Sequence, residues 1–253
     1  MNKVTVVPGD GIGPEVVGAT CAIIKASGAK VEFEEALVGL RAEKELGTPL
    51  PVSVFESIER NKLALKGPTQ TPFGGNYRIN IERMKDGKES RADYPSIAIA
   101  LRKELKLFVN VRPIKNYPGV SSRYQNVDLV IFRENTEDIY AGIEFEQGTE
   151  ANNKFIKLFK ENFPKEFSKI RFPESTGIGI KPVSRDGSQR LIRSAIEYAI
   201  TNKRKSVTLV HKGNIMKYTE GAFRIWGYEL AEKEFGAQTY TWEQWERTKK
   251  AKG

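Results

Sequence analysis

Residues 127–144, VDLVIFRENTEDIYAGIE, decide how the chain is read. They open as an apolar run, 127–132, bounded by polar residues, which is the pattern of a buried strand in a parallel sheet. At Arg133 the character changes, and Glu134, Asn135, Glu137, Asp138 and Tyr140 follow at once. Ligands of α/β proteins bind beyond the carboxyl ends of strands, so charged groups crowded there are candidates for a site. Arg133 can fork onto a carboxylate, and Tyr140 can carry a proton. Taken alone, these residues fit a solvated loop with a surface ion pair equally well.

Toward the amino terminus, a strand is expected over 4–7, then GDGIGP, then a helix over 14–27 with Pro14 in its first turn. Gly9, Gly11 and Gly13 do not complete G-x-G-x-x-G, because Pro14 stands at the sixth position, so the loop reads as a tight turn rather than a phosphate cradle. Val16, Val17, Cys21, Ile23 and Ile24 give the helix an apolar face, with Cys21 as a small buried hydrophobe. A strand at 31–33, a helix at 51–61 and a strand at 63–65 lead to a loop shaped by Pro68, Pro72 and three glycines. The polar stretch 76–93 reads as an inserted, solvated surface loop. Ser96 is the expected N-cap of a helix over 97–105, and Arg112 closes a strand over 107–111.

On the carboxyl side, 154–162 has helical spacing and 178–181 reads as a strand. The clearest helix is 184–202, where Leu191, Ile192, Ala195, Ile196, Ala199 and Ile200 share a face. A strand over 207–210 would deliver His211, Lys212 and Asn214 at its carboxyl end. A helix over 219–235 packs Phe223, Trp226 and Leu230 inward and closes on Gly236.

Composition narrows the function classes. At 253 residues, with 39% hydrophobic and 29% charged, the chain can bury a sizeable core. No apolar run approaches the roughly 20 residues that span a bilayer, and MNKVTVVPGDG has no signal-peptide core, so a cytoplasmic location is expected. One cysteine rules out an internal disulfide framework, and one histidine rules out any histidine-rich metal site. The net charge of +9 comes from scattered lysines and the tail RTKKAK at 247–252. Aromatic and basic residues do not interleave as in single-strand binders, which argues against nucleic acid as a partner.

RENTEDIYAGIE resembles the signature of the β-decarboxylating dehydrogenases, the isocitrate and isopropylmalate family. PGDGIGPEVV, LKGPTQTPFGG, LRKELKLFVNVRPIKNYPGV, GIGIKPVSR and TLVHKGNIMKYTEGAFRIWGYELA follow the family's order across nearly the whole chain. GIGIKP and the last block most resemble the bacterial NADP-type isocitrate branch. The resemblance implies an isopropylmalate dehydrogenase-like two-domain α/β sandwich: part of the large domain over 1–106, and the small domain over 107–253 with a dimer clasp at about 141–181. The implied reaction is oxidative decarboxylation of isocitrate to 2-oxoglutarate with NADP. 3-Isopropylmalate or homoisocitrate as substrate, and a catalytically silent dimerising module, are the alternatives.

The same resemblance assigns roles residue by residue. Tyr140 and Lys212 are the catalytic groups. Ser96, Arg102, Arg112, Arg133 and Asn214 bind substrate, and Thr71 and Asn214 lie by the nicotinamide. A lysine can transfer a proton when burial or nearby cations lower its pKa. Three arginines suit an acid with three carboxylates, since guanidinium forks bind carboxylates bidentately. Lys212 and Asn214 act across a homodimer in this family. Ala98 replaces an asparagine often found there, which puts one substrate hydrogen bond in question. The family also needs Mg²⁺ or Mn²⁺ held by several aspartates. No residue here matches those ligands, although Asp128, Glu134, Glu137 and Asp138 offer carboxylate oxygens. The chain therefore resembles an amino-terminal portion of such an enzyme.

Overall fold

The computed structural model describes residues 2–70, 78–85 and 87–252. The chain divides into two compact units, one ending at Leu107 and the second beginning at Phe108. Among the described residues no helix is long and apolar enough to cross a membrane.

The first unit opens with β1 (Asn2–Val7), α1 (Gly13–Ala26), β2 (Val31–Glu35), α2 (Leu40–Leu46), α3 (Val52–Asn61) and β3 (Ala64–Lys66). The three strands form a parallel sheet in the order β2-β1-β3. The glycine turn after β1 is built around one carboxylate. Asp10, only 6% exposed, accepts the Leu40 amide at 2.8 Å and the Gln70 amide at 2.9 Å, and its own amide donates to Pro68 O at 2.8 Å. Gly39, at φ +87°, lets this carboxylate approach, since a methyl group there would collide with it. Any side chain at Gly9 or Gly13 would strike the backbone carbonyls of Pro68 and Pro8. The loop is therefore filled by its own chain, as the missing sixth glycine suggested. On α1, Val17 is buried, but Val16 and Ile23 are exposed and Cys21 is half-exposed rather than buried.

The stretch expected to be a solvated surface loop is instead part of the core. β4 (Ile79–Lys85) and β5 (Lys88–Tyr94) pair antiparallel. Ile79, Ile81 and Arg83 point inward opposite Tyr94, Ala92 and Ser90. Charge content hid a period-two alternation around the dipeptide Asp86-Gly87, a hairpin signal in its own right. Ile79 and Ile81 join Val7, Val54, Phe55, Ile97 and Leu101 in one apolar cluster. Arg83 enters it because its charge is matched. Its Nε donates to Glu104 Oε2 at 3.1 Å and its Nη1 to Glu59 Oε1 at 3.0 Å, while the guanidinium lies 4.5 Å from the Phe55 ring centre. Tyr94 donates to the other Glu104 oxygen at 2.5 Å. Burial, reinforced by Glu104, pushes the Tyr94 phenol above its ordinary value. Ser96 caps α4 (Ile97–Glu104), accepting the Ile99 amide at 3.2 Å.

In the second unit, β6 (Val109–Lys115) and β7 (Asp128–Glu134) form an antiparallel pair, not two strands of a parallel sheet. A loop over 116–127 with no intervening helix joins them, a connection that suits antiparallel pairing. Pro113 is tolerated because β6 is an edge strand. After a 3₁₀ turn (Asp138–Ala141) come β8 (Ile143–Phe145), α5 (Glu150–Asn162), α6 (Pro164–Phe167) and β9 (Ile178–Ile180), with β8 and β9 paired antiparallel. Phe145, Phe155, Phe159 and Phe167 pack ring to ring in series within this region, the last pair edge-to-face.

α7 (Arg185–Thr201) and α8 (Glu220–Phe235) pack through Ile192, Ile196, Leu230 and Ala231. The expected strand at 207–210 does not form. Arg204 is pinned to Asp128, to Oδ1 at 2.9 Å and to the carbonyl at 2.6 Å, and Leu209 packs against the α7–α8 cluster. This segment, β7 and α7 together line a cavity of about 1090 Å³. Gly236 ends α8 at φ −57°, not in the left-handed conformation expected of a C-cap. The amide and hydroxyl of Thr239 close the helix on the Phe235 carbonyl. α9 (Trp242–Lys252) starts with a capping box in which Thr241 and Gln244 exchange side-chain bonds with each other's amides.

Candidate functional site

The β6–β7 register sets the site's geometry. Asn110 stands opposite Arg133, and Arg112 stands opposite Ile131. Residues opposite each other, and residues two apart, share a face of a strand pair. Asn110, Arg112 and Arg133 therefore lie on one face, the arginines as diagonal neighbours with Cα atoms about 7–8 Å apart. Arg112 Nε donates to Asn110 Oδ1 at 3.1 Å, so the two are tied together. Arg112 is thus at the middle of its strand rather than at its end. The opposite face carries Phe132 against Tyr198 of α7, ring centres 5.2 Å apart, and Glu134 facing Arg190 at 3.6 Å. Packing on α7 leaves the arginine face outward.

Tyr140 returns to this face on the 3₁₀ turn. Arg133 Nη2 donates to the Tyr140 phenol oxygen, and its guanidinium sits 4.8 Å from the Tyr140 ring centre. Arg133 is exposed and Tyr140 half-buried, so both can meet a ligand. A guanidinium that donates to the phenol oxygen leaves the phenol proton free to be given elsewhere.

The carboxylates of this turn are already engaged. Glu134 Oε1 accepts from the Thr136 amide and hydroxyl, each at 2.7 Å, and from the Glu137 amide at 3.0 Å. Glu137 sits at the amino terminus of α7, where it accepts the Ser184 amide at 3.1 Å and the Ser184 hydroxyl at 2.7 Å. Asp138 binds Lys181 at 3.3 Å, and Asp128 binds Arg204. Among the described residues no group of three or more His, Cys, Asp or Glu is arranged to hold a metal ion. The donor set among the described residues does not fit a divalent cation.

Lys212 and Asn214 are exposed, on the irregular segment before α8. The Lys212 amide donates to Glu220 Oε2 at 3.1 Å, and His211 Nδ1 accepts the Gly213 amide at 3.0 Å. Glu220 also pairs with Lys181, which reaches back to Asp138 beside Tyr140. Lys181 and Glu220 escaped the sequence reading although both lie inside matched blocks, because only contacts across 39 residues reveal them.

Ser96 and Arg102 belong to the first unit. Ser96 is half-buried as a cap, and Arg102 is half-buried on α4. Arg102 is close enough to Lys66, at the end of β3, for their charges to interact. Burial lowers the Lys66 pKa, Asp10 opposes the shift and Arg102 adds to it, which makes Lys66 a candidate that residue type alone did not single out. Thr71 lies outside the described residues.

The chain belongs to the isocitrate/isopropylmalate dehydrogenase family, which it matches over residues 3–242. Within that family it is similar to "Isocitrate dehydrogenase [NADP]" of Staphylococcus epidermidis, 47% identical over 255 residues, covering 97% of this chain and 56% of the relative. The protein of the same name from Archaeoglobus fulgidus is 45% identical over 240 residues, covering 92% and 53%. The crystal structure of isocitrate dehydrogenase from Methylococcus capsulatus superposes with a TM-score of 0.71 at 37% identity, covering 92% of this chain and 58% of that one. The expected α/β family fold is thus present, and the chain spans about half the length of the curated relatives it matches.

Proposed function

We propose that this chain supplies substrate-binding and proton-transfer groups for an NADP-dependent isocitrate dehydrogenase acting as a cytoplasmic homodimer in the tricarboxylic acid cycle. The observation that carries this reading is the contact of Arg133 with Tyr140, on the hairpin face that also presents Arg112. Two guanidinium groups on one face suit an acid with several carboxylates, each fork taking two oxygens. Binding by both holds the acid against the Tyr140 phenol. When carbon dioxide leaves the substrate, the adjacent carbon needs a proton, and Tyr140 is placed to give it. Arg133, already bonded to the phenol oxygen, steadies negative charge there as the proton departs. Ser96, Arg102, Lys212 and Asn214 keep the roles the family resemblance gives them, Lys212 as the amine in proton transfer and Asn214 against substrate or nicotinamide. NADP and Mg²⁺ or Mn²⁺ complete the reading, with no group of carboxylates among the described residues arranged to hold the metal.

Isothermal titration of the chain with isocitrate, isopropylmalate and homoisocitrate tests this. Isocitrate is expected to bind most tightly, and Arg133→Lys to weaken it about tenfold, because an ammonium group cannot replace a planar fork. Preference for isopropylmalate, or indifference to Arg133→Lys, would overturn the assignment. NADP reduction with isocitrate and Mg²⁺ separates an active chain from a catalytically silent dimerising module.

A further inference from the structure

Tyr140 and Lys212 lie on segments distant in sequence, and a relay of three charged side chains, Glu220, Lys181 and Asp138, links those segments. Glu220, the first residue of α8, accepts the Lys212 amide on Oε2 at 3.1 Å and the Lys181 ammonium group on Oε1. Lys181 also reaches Asp138 Oδ2 at 3.3 Å. Asp138 opens the turn that carries Tyr140. It is held at φ +60°, with its amide on Pro182 O at 3.0 Å and its Oδ1 on the Ile139 amide at 2.6 Å. Aspartate adopts this conformation more readily than most residues, and here the Pro182 carbonyl and its own side chain on the next amide support it.

The use made of Glu220 is unusual for its position. A carboxylate in the first turn of a helix normally serves its own helix end. Thr219, the N-cap, makes no side-chain cap bond, and its hydroxyl is buried without a partner among the described residues. Glu220 nevertheless directs both oxygens away from α8, to Lys181 and to the Lys212 segment. Its side chain is 18% exposed and that of Lys181 30%, so solvent screens the pair only in part.

We propose that Glu220, braced by Lys181, is a positioning residue that holds the Lys212 segment and the Tyr140 turn in a fixed relation to each other. The functional meaning of this strut rests on the roles proposed above for Tyr140 and Lys212. The strut itself does not depend on those roles. The groups facing Glu220 are the Lys181 ammonium, the Lys212 amide and, at longer range, His211, with Asp138 acting through Lys181. Lys181, and then the Lys212 amide, hold the Glu220 carboxyl below its usual range, while Glu220 pushes Lys181 up. The lowered carboxylate keeps the strut charged at neutral pH. As pH falls through that lowered pKa, the carboxylate is protonated and the strut loosens.

Amide hydrogen exchange on the whole chain, without substrate, tests this directly. Corrected for intrinsic exchange, protection at Lys212 is expected to fall with acidification in the wild type and to become independent of pH over that range in Glu220→Gln. Glu220→Ala should speed Lys212 exchange by about tenfold, the loss of one hydrogen bond to a charged group. Lys181→Met, which does not touch the Lys212 amide, should also speed it, and Lys181→Arg should restore it. Slow amides at Ile192 and Ile196 report that α7 remains folded in each variant. Equal Lys212 exchange in the wild type, Glu220→Ala and Lys181→Met would overturn the proposal, as would acid sensitivity surviving in Glu220→Gln. Failure of isocitrate to bind would leave these rates unchanged and would count only against the functional reading.

Discussion

Arg83→Ala is expected to destabilise the first unit by about 3–5 kcal/mol, the scale for removing one partner of a buried ion pair. The Arg83 and Glu104 side chains are each 4% exposed. Truncation would take the guanidinium away from the buried Glu104 carboxylate, which keeps the Tyr94 hydroxyl, and would open a void beside Phe55. Glu59, half-exposed, returns to water without penalty. Urea unfolding followed by circular dichroism measures the loss. It also separates charge from shape. Arg83→Met with Glu104→Leu and Tyr94→Phe removes the three buried polar groups, roughly keeps their volume and leaves Glu59 to solvent, so most of the stability should return, because a buried ion pair is often no better than apolar packing. If Arg83→Ala alone costs less than about 1 kcal/mol, the pair is exchanging with solvent and the hairpin is not part of the core.

Arg83 also marks the limit of what the sequence could reveal. Strands β1, β2 and β3 and helices α1, α3, α4 and α7 were legible because apolar spacing and caps declare them locally, as Ser96 and Ser184 do. The β4–β5 hairpin carried a local turn signal in Asp86-Gly87, but the burial of its inward face was not legible, because that face includes an arginine. Only the approach of Glu59 and Glu104, 24 and 21 residues away, makes that burial tolerable. The same limit operated at 207–210. Val207, Leu209 and Val210 have the composition of a strand, yet the Arg204–Asp128 bond, across 76 residues, and the demand of the α7–α8 core for Leu209 override it. At the candidate site, Arg133 and Tyr140 could be read because seven residues separate them and both belong to one recognisable block. The Lys181–Glu220 strut could not be, since nothing local distinguishes either residue from a solvated charge.

Glu137→Ala is expected to cost the second unit about 2–3 kcal/mol, as hydrogen bonds to a charged acceptor are lost at a helix end. In the sequence Glu137 is one of several carboxylates that could offer an oxygen to a cation. In the structure both its oxygens are taken by Ser184, and its carboxylate lies against Gly187 in the first turn of α7. A methyl group at Gly187 would collide with that carboxylate, so Gly187→Ala should be destabilising beside Glu137 and much less so in Glu137→Ala. This non-additivity distinguishes a seated cap from a carboxylate that merely passes nearby. Ser184→Ala makes the second arm. Its hydroxyl accepts the Gly187 amide at 2.9 Å while donating to Glu137, so its loss should remove part of the same energy, and the double variant with Glu137→Ala should fall short of the sum. Additive losses in both cycles would mean that Glu137 does not hold α7, and the carboxylate would again be available to a ligand. Because Glu137 lies three residues before Tyr140 and binds at the start of α7, the same loss should also loosen the turn that presents the phenol, visible as faster amide exchange from Asp138 to Gly142.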